Sequence, residues 1–97
     1  MADRNITVQV DFYGGLQEVF GAQSTRVVLS GSRSVGAVLE ALATTGTRRD
    51  IIFASPGVLQ RDLTVLKNGR NIVFIGGLGV ELSEEDVLAV FPPTFGG

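Results

Sequence analysis

The last residues of the chain, Phe91-Pro92-Pro93-Thr94-Phe95-Gly96-Gly97, offer chemistry that no side chain supplies. A chain ending on two glycines presents its α-carboxylate with no Cβ beside it. That carboxylate has a reference pKa of about 3.3–3.7 and is ionised at neutral pH. It is a poor electrophile until one oxygen is turned into a leaving group. Gly96 and Gly97 are expected to thread a narrow channel and to adopt dihedrals closed to other residues. The reactive group would then be the end of the main chain.

The remaining inventory points the same way by exclusion. With no Cys there is no disulfide framework, thiol nucleophile or thiolate metal site. With no His, a Ser-His-Asp triad cannot be assembled and no imidazole can bind metal. Glu84-Glu85-Asp86 is the one carboxylate cluster, and its setting reads as a solvated turn. No catalytic side chain, no metal and no bound cofactor are therefore expected. Lys67 is the sole lysine, hence the sole internal side chain to which an isopeptide bond could be made.

A net charge of -2 and only one adjacent basic pair, Arg48-Arg49, give no basic face for nucleic acid. No apolar run is long enough for a membrane helix. Met1-Ala2-Asp3-Arg4 lacks a basic region followed by an apolar stretch, so no leader is expected and a cytoplasmic protein is the default. At 97 residues the chain has room for one core. The expected division is a domain over 1–91 and a flexible tail over 92–97.

The elements that must hold this tail follow from periodicity. Ile6, Val8, Val10 and Phe12 alternate with Thr7, Gln9, Asp11 and Tyr13, which describes a strand with one buried face and Tyr13 pointing away from it. Leu16 to Gly21 is an anchored connection. Thr25 to Ser30 reads as a second strand, pairing with the first as a hairpin. Ser34 is a good N-cap for a helix whose stripe is Val35, Val38, Leu39 and Leu42, with Gly46 just past its end. Gly36 inside that helix costs about 1 kcal/mol relative to Ala unless it permits close packing on the sheet. The type of Ile51-Ile52-Phe53 stays open.

Leu63 to Lys67 is a third strand and Asn68-Gly69 a tight turn. Ile72-Val73-Phe74 is expected as a short fourth strand and Gly76-Gly77-Leu78-Gly79 as a loop, without the lysine of a phosphate-binding loop. Val87 to Phe91 closes the sheet with Leu88 and Val90 inward, and Pro92-Pro93 ends it. One main helix on a mixed sheet, with the first and last strands adjacent, is an α+β arrangement of β-grasp topology.

Three stretches carry a family likeness: Asp11-Phe12-Tyr13-Gly14-Gly15-Leu16 through Gly21, Lys67-Asn68-Gly69-Arg70-Asn71-Ile72, and Leu82 through Phe91-Pro92-Pro93 to Gly96-Gly97. On these the chain resembles the ubiquitin-like sulfur carriers of the MoaD/ThiS group and the Urm-type ubiquitin-related modifiers. The family's acidic-Gly-acidic turn before the last strand is here Glu84-Glu85-Asp86.

The resemblance implies a carrier and not an enzyme. An E1-like enzyme would use ATP to adenylate Gly97, and a sulfur-donor enzyme would convert it to a thiocarboxylate. The sulfur would serve tRNA thiolation, or the activated end would join lysines of acceptor proteins, with Lys67 available in the carrier itself. The alternative is the small subunit of molybdopterin synthase, giving sulfur to a pterin precursor beside a large subunit. An alternative of another class is a non-covalent β-grasp interaction module. Partner docking is expected on Tyr13 and Phe91, joined by Ile72 or Phe74, with Phe95 as a tail anchor. A monomer suits such a carrier.

Overall fold

The computed structural model describes residues 5–93. Phe95, Gly96 and Gly97, and with them most of the expected tail, lie outside the described residues. Strand β1 (Ile6–Phe12) buries every second residue, as its alternation requires. It is followed by a short helix α1 (Leu16–Phe20) and strand β2 (Ser24–Leu29), which pairs antiparallel with β1 from Ile6↔Leu29 to Asp11↔Ser24. Helix α2 (Val35–Leu42) starts where Ser34 takes an extended conformation and its Oγ accepts from Ala37 N at 3.1 Å. Val35, Val38 and Leu39 enter the core, and Leu42 is half-buried beside it.

Gly46 does not close α2. Thr45 is extended, and its Oγ1 accepts from Arg48 N at 3.1 Å, so Gly46 opens a further helix, α3 (Gly46–Ile52). The hydroxyl next to the glycine decided the matter: an N-cap outcompeted a C-cap. The chain thus carries three short helices, α2 being the longest of them among the described residues. Ile51 and Ile52 finish α3, and Phe53 opens a two-stranded ribbon of β3 (Phe53–Ser55) and β4 (Val58–Leu59).

Strand β5 (Thr64–Lys67) turns at Asn68 and Gly69, whose φ values of 48° and 87° make the tight turn their types favour. The returning strand β6 is only Arg70–Asn71. Ile72–Phe74 forms a 3-10 turn in place of the expected fourth strand, because Asn71 Oδ1 accepts from Val73 N at 3.0 Å and draws the backbone away from the ladder. A second 3-10 turn, Gly77–Gly79, sets Leu78 against α2. There a Cβ on Gly36 would stand 3.3 Å from the Leu78 carbonyl oxygen, so Gly36 serves close packing on this turn and not on the sheet.

Strand β7 (Val87–Phe91) completes the main sheet, ordered β2-β1-β7-β5-β6. It runs parallel to β1 and antiparallel to β5. Val8, Val10, Val65, Leu88 and Val90 face α2 across a dry core with no buried polar side chain among the described residues. A mixed five-stranded sheet with helices on one face is the β-grasp arrangement, and among the described residues its other face carries no layer.

Candidate functional site at the base of the tail

The chain leaves the sheet through Phe91 and Pro92, and local contacts fix this departure point. Tyr13 continues β1 by one rung, its N–H donating to the Val90 carbonyl at 3.1 Å. Its ring lies flat on that of Phe91, with centroids 4.4 Å apart and planes within 8°. Such ring pairs add about 0.5–1.5 kcal/mol beyond their buried area. The stack sits on the uncovered face, where Tyr13 is exposed and Phe91 half-buried.

Directly behind the stack, Gly14 has φ +58° and lies against Pro92; a Cβ there would come within 3.0 Å of Pro92 Cγ. The glycine therefore has two reasons, a left-handed backbone and contact with the proline that begins the tail. Leu16, buried, pins α1 beneath this turn. Phe20 of α1 stacks on Phe12 at 4.6 Å, and Arg48 from α3 lies over Phe20 while its Nε donates to the Val19 carbonyl at 3.0 Å.

The register extends the patch to residues that the sequence reading left out. Ala89 stands between Asp11 and Leu66, and Phe91 pairs with Thr64. Leu66 and Ala89, both half-buried, continue an apolar column below the stack. The outward phase of β5 and β7 contained this signal, since Leu66, Ala89 and Phe91 on it are apolar too. Gly14 was visible only as a strand breaker; its contact with Pro92 is tertiary.

Other expected members part company. Ile72 is fully buried and offers nothing to a partner, because the 3-10 turn rotates it into the core. Phe74 is 84% exposed on the same turn, beyond β6. Among the described residues it shares no ring contact with Tyr13 or Phe91.

Lys67 lies at the opposite end of β7, paired with Leu88, its Nζ 3.9 Å from Asp86. Burial pushes the Asp86 carboxyl up. Donation from Ser83 N and Asn68 Nδ2, with the nearby Lys67 charge, outweighs this and holds it below the ordinary aspartate range. An open groove of about 790 Å³ lies at that end, between Lys67, Arg70, Ile75, Val80 and Glu81. Among the described residues no cluster of acidic side chains is arranged to hold a metal ion. No helix there is long and apolar enough to cross a membrane.

Comparison with known proteins agrees with this layout. The model of the ThiS family matches residues 10–97. Small archaeal modifier protein 3 of Haloferax volcanii is 30% identical over 90 residues, covering 93% of this chain and 98% of that protein. Small archaeal modifier protein 1 of the same organism is 34% identical over 86 residues, covering 88% and 94%. A crystal structure of the latter superposes with a TM-score of 0.77 at 32% identity, covering 94% of this chain and 99% of that one. The chain belongs to the ThiS family of ubiquitin-like proteins, among relatives that are small modifier proteins.

Proposed function

We propose that this protein is a ubiquitin-like carrier whose Gly97 carboxylate is activated by a partner enzyme with ATP. The carboxylate oxygen attacks the α-phosphorus, the bond to the β-phosphate breaks, and pyrophosphate leaves behind an acyl-adenylate. From there two acceptors use the same intermediate. The outer sulfur of a persulfide displaces AMP, and a thiol then reduces the resulting S–S bond to leave a thiocarboxylate. Alternatively, a lysine amine displaces AMP and forms an isopeptide bond. Catalytic groups belong to the partner; this chain supplies the acyl group and the surface that presents it.

The observation that carries the reading is the joint placement of two things. The family match runs through residue 97, and the strand ahead of the tail is clamped by Tyr13, Gly14 and Pro92. An adenylating enzyme with a fixed active site needs the tail to start from a fixed point. Tyr13, Phe91, Ala89 and Leu66 are the proposed docking face, with Phe95 a further anchor on the tail. The names of the relatives favour attachment to lysines as one outcome. The pterin reading draws its support from the Phe91-Pro92-Pro93 exit alone.

The test is intact mass after incubation with ATP, a cognate adenylating enzyme and a sulfur source. Replacement of one terminal oxygen by sulfur is expected. Deleting Gly97, or adding one alanine after it, is expected to reduce ATP–pyrophosphate exchange to background without lowering the melting temperature. Wild-type exchange by either variant would overturn the reading. Lysine adducts in an extract select the modifier role; a stable complex with a large synthase subunit selects the pterin role.

A further inference from the structure

A run of exposed apolar residues stands apart from the tail and its stack. Val73, Phe74 and Ile75 follow one another on one turn and are 62%, 84% and 41% exposed. Single exposed apolar residues are ordinary, but an unbroken run is uncommon on a surface that meets only water. The turn is firmly held. Ile72 before it is fully buried, and Asn71 Oδ1 accepts from Val73 N at 3.0 Å. Ile75 N and Gly76 N both donate to the Ile72 carbonyl, at 3.0 and 3.1 Å. Phe74 is thus displayed on a preformed backbone, and little ordering remains for a partner to impose.

Beside the turn lies the open groove of about 790 Å³. Ile75 and Val80 give it apolar wall, and Gly76 and Gly79 line it without side chains. A Cβ on Gly79 would meet nothing within 4 Å, so there is room above that residue for an incoming ring. The far wall is tied to the start of α2, where the Val80 carbonyl accepts from Val35 N at 2.9 Å and Leu82 N donates to the Arg33 carbonyl at 2.8 Å. Asn68 and Lys67 on the rim are already engaged with Asp86. Arg70 and Glu81, also on the rim and both exposed, have no side-chain hydrogen bond or ion pair among the described residues. One face therefore holds a ring, a groove with room for a ring, a free cation and a free anion. A surface carrying both halves of each complementary pair matches a copy of itself across a two-fold axis, where residue i meets j and j meets i.

We propose that this face joins two copies of the chain in a two-fold dimer. The Phe74 ring of one copy enters the groove of the other against Ile75, Gly79 and Val80, and the reverse contact forms with it. Arg70 of each copy pairs with Glu81 of the other. A buried aromatic anchor carries most of the affinity of such a contact, while the charges around it set register and partner choice. The area on offer is small, so the dimer is weak and exchanges readily. The monomer expected from the sequence is then the dilute form. The groove lies at the end of β7 away from Phe91, so the dimer leaves both tails open while covering Lys67 on each copy. Nothing in this contact depends on chemistry at Gly97.

Sedimentation equilibrium of the full chain tests the dimer. The weight-average mass is expected to climb from one chain toward two as concentration rises, with concentration-dependent amide shifts at Val73, Phe74, Ile75, Gly79 and Glu81. Phe74→Ser, at a position outside the core, is expected to weaken association about tenfold or more. Gly79→Leu, which fills the groove, is expected to do the same. Arg70→Glu and Glu81→Arg each set like charges opposite one another, and each is expected to weaken self-association by a similar factor. Mixed in equal amounts, these two charge variants are expected to associate with each other as tightly as wild-type copies do, because every facing pair is then of opposite sign. That rescue also shows that both variants are folded. Acetylation of Lys67 by an N-hydroxysuccinimide ester is expected to slow as the wild type dimerises, and not in Phe74→Ser.

A chain that stays monomeric at millimolar concentration, shifts centred on Tyr13 and Phe91, or charge variants that associate no better mixed than apart would overturn the proposal. Shifts on this face that appear only on adding phosphatidylserine vesicles or a polyglutamate peptide, in a chain that stays monomeric, would assign it to another occupant and sink the dimer.

Discussion

The two ends of strand β7 are built on opposite principles. At the end where the tail departs, Tyr13, Phe91, Gly14 and Pro92 meet through flat, largely apolar contacts on an uncovered face. At the far end, polar groups are knotted together. Asn68 Oδ1 accepts from Val87 N and its amide donates to Asp86. Asp86 also accepts from Ser83 N, and the Glu84 carboxylate accepts from Thr7 N. Aromatic surface without internal polar commitments is free to be covered by a partner. Saturated hydrogen bonds hold register and leave little for a partner to use. On the proposed function, the sheet is fixed from one end so that the other can be offered.

That contrast can be broken by substitution. The largest effect is expected from Phe91→Asp, which places a charge in the offered end. Apparent KM for the carrier in adenylation should rise by about thirtyfold, the equivalent of a hot spot of ~2 kcal/mol, with kcat little changed. Steady-state pyrophosphate release checks this, and an unaltered KM would remove the face from the docking account.

Asp86→Ala attacks the knotted end. Leaving Ser83 N and Asn68 Nδ2 without their acceptor should cost about 1–3 kcal/mol in denaturant unfolding while adenylation of the folded protein is unchanged. Its pH dependence has a definite sign. The Asp86 carboxyl is lowered in the folded chain, so its contribution is present above the ordinary aspartate range, about 3.9, and is lost as pH falls through the folded value. The gap between wild type and variant should accordingly narrow on acidification.

The smallest effect sharpens the comparison. Glu85 holds φ +71°, where a side chain is strained. Glu85→Gly relieves a strain of about 1–2 kcal/mol. It also adds unfolded-chain freedom worth about 0.4–1 kcal/mol. A net gain of about 0.5 kcal/mol is expected by thermal melting, with no change in activation.

The sequence spoke clearly where one local pattern met no rival. The alternation of Ile6 to Phe12, the Ser34 cap, the Asn68-Gly69 turn and the inward Leu88 and Val90 all stand in the structure as read. It misled where two signals of equal strength competed. Thr45 and Gly46 carry both a start and a stop, and the Thr45 hydroxyl that accepts from Arg48 N made the choice, with Arg48 and Arg49 of α3 then lying over Phe20 and Phe53. Ile72-Val73-Phe74 has the composition of a strand, yet a single Asn71 side-chain bond turned it into a 3-10 turn. The Tyr13–Phe91 stack was legible as two outward phases on adjacent strands. The wedge of Gly14 on Pro92 was not, because it exists only once β1 and β7 lie side by side.

The Tyr13–Phe91 stack joins side chains roughly eighty positions apart, and closing so long a loop is among the entropically dearest steps available to a small chain. Neither ring has its partner until the parallel β1–β7 ladder is in place. An activating enzyme that grips this pair consequently inspects the finished fold and not a local peptide. Partly folded copies, even with an intact Gly-Gly end, would pass unadenylated. On the proposed mechanism, activation at the tail would double as proofreading of the domain behind it.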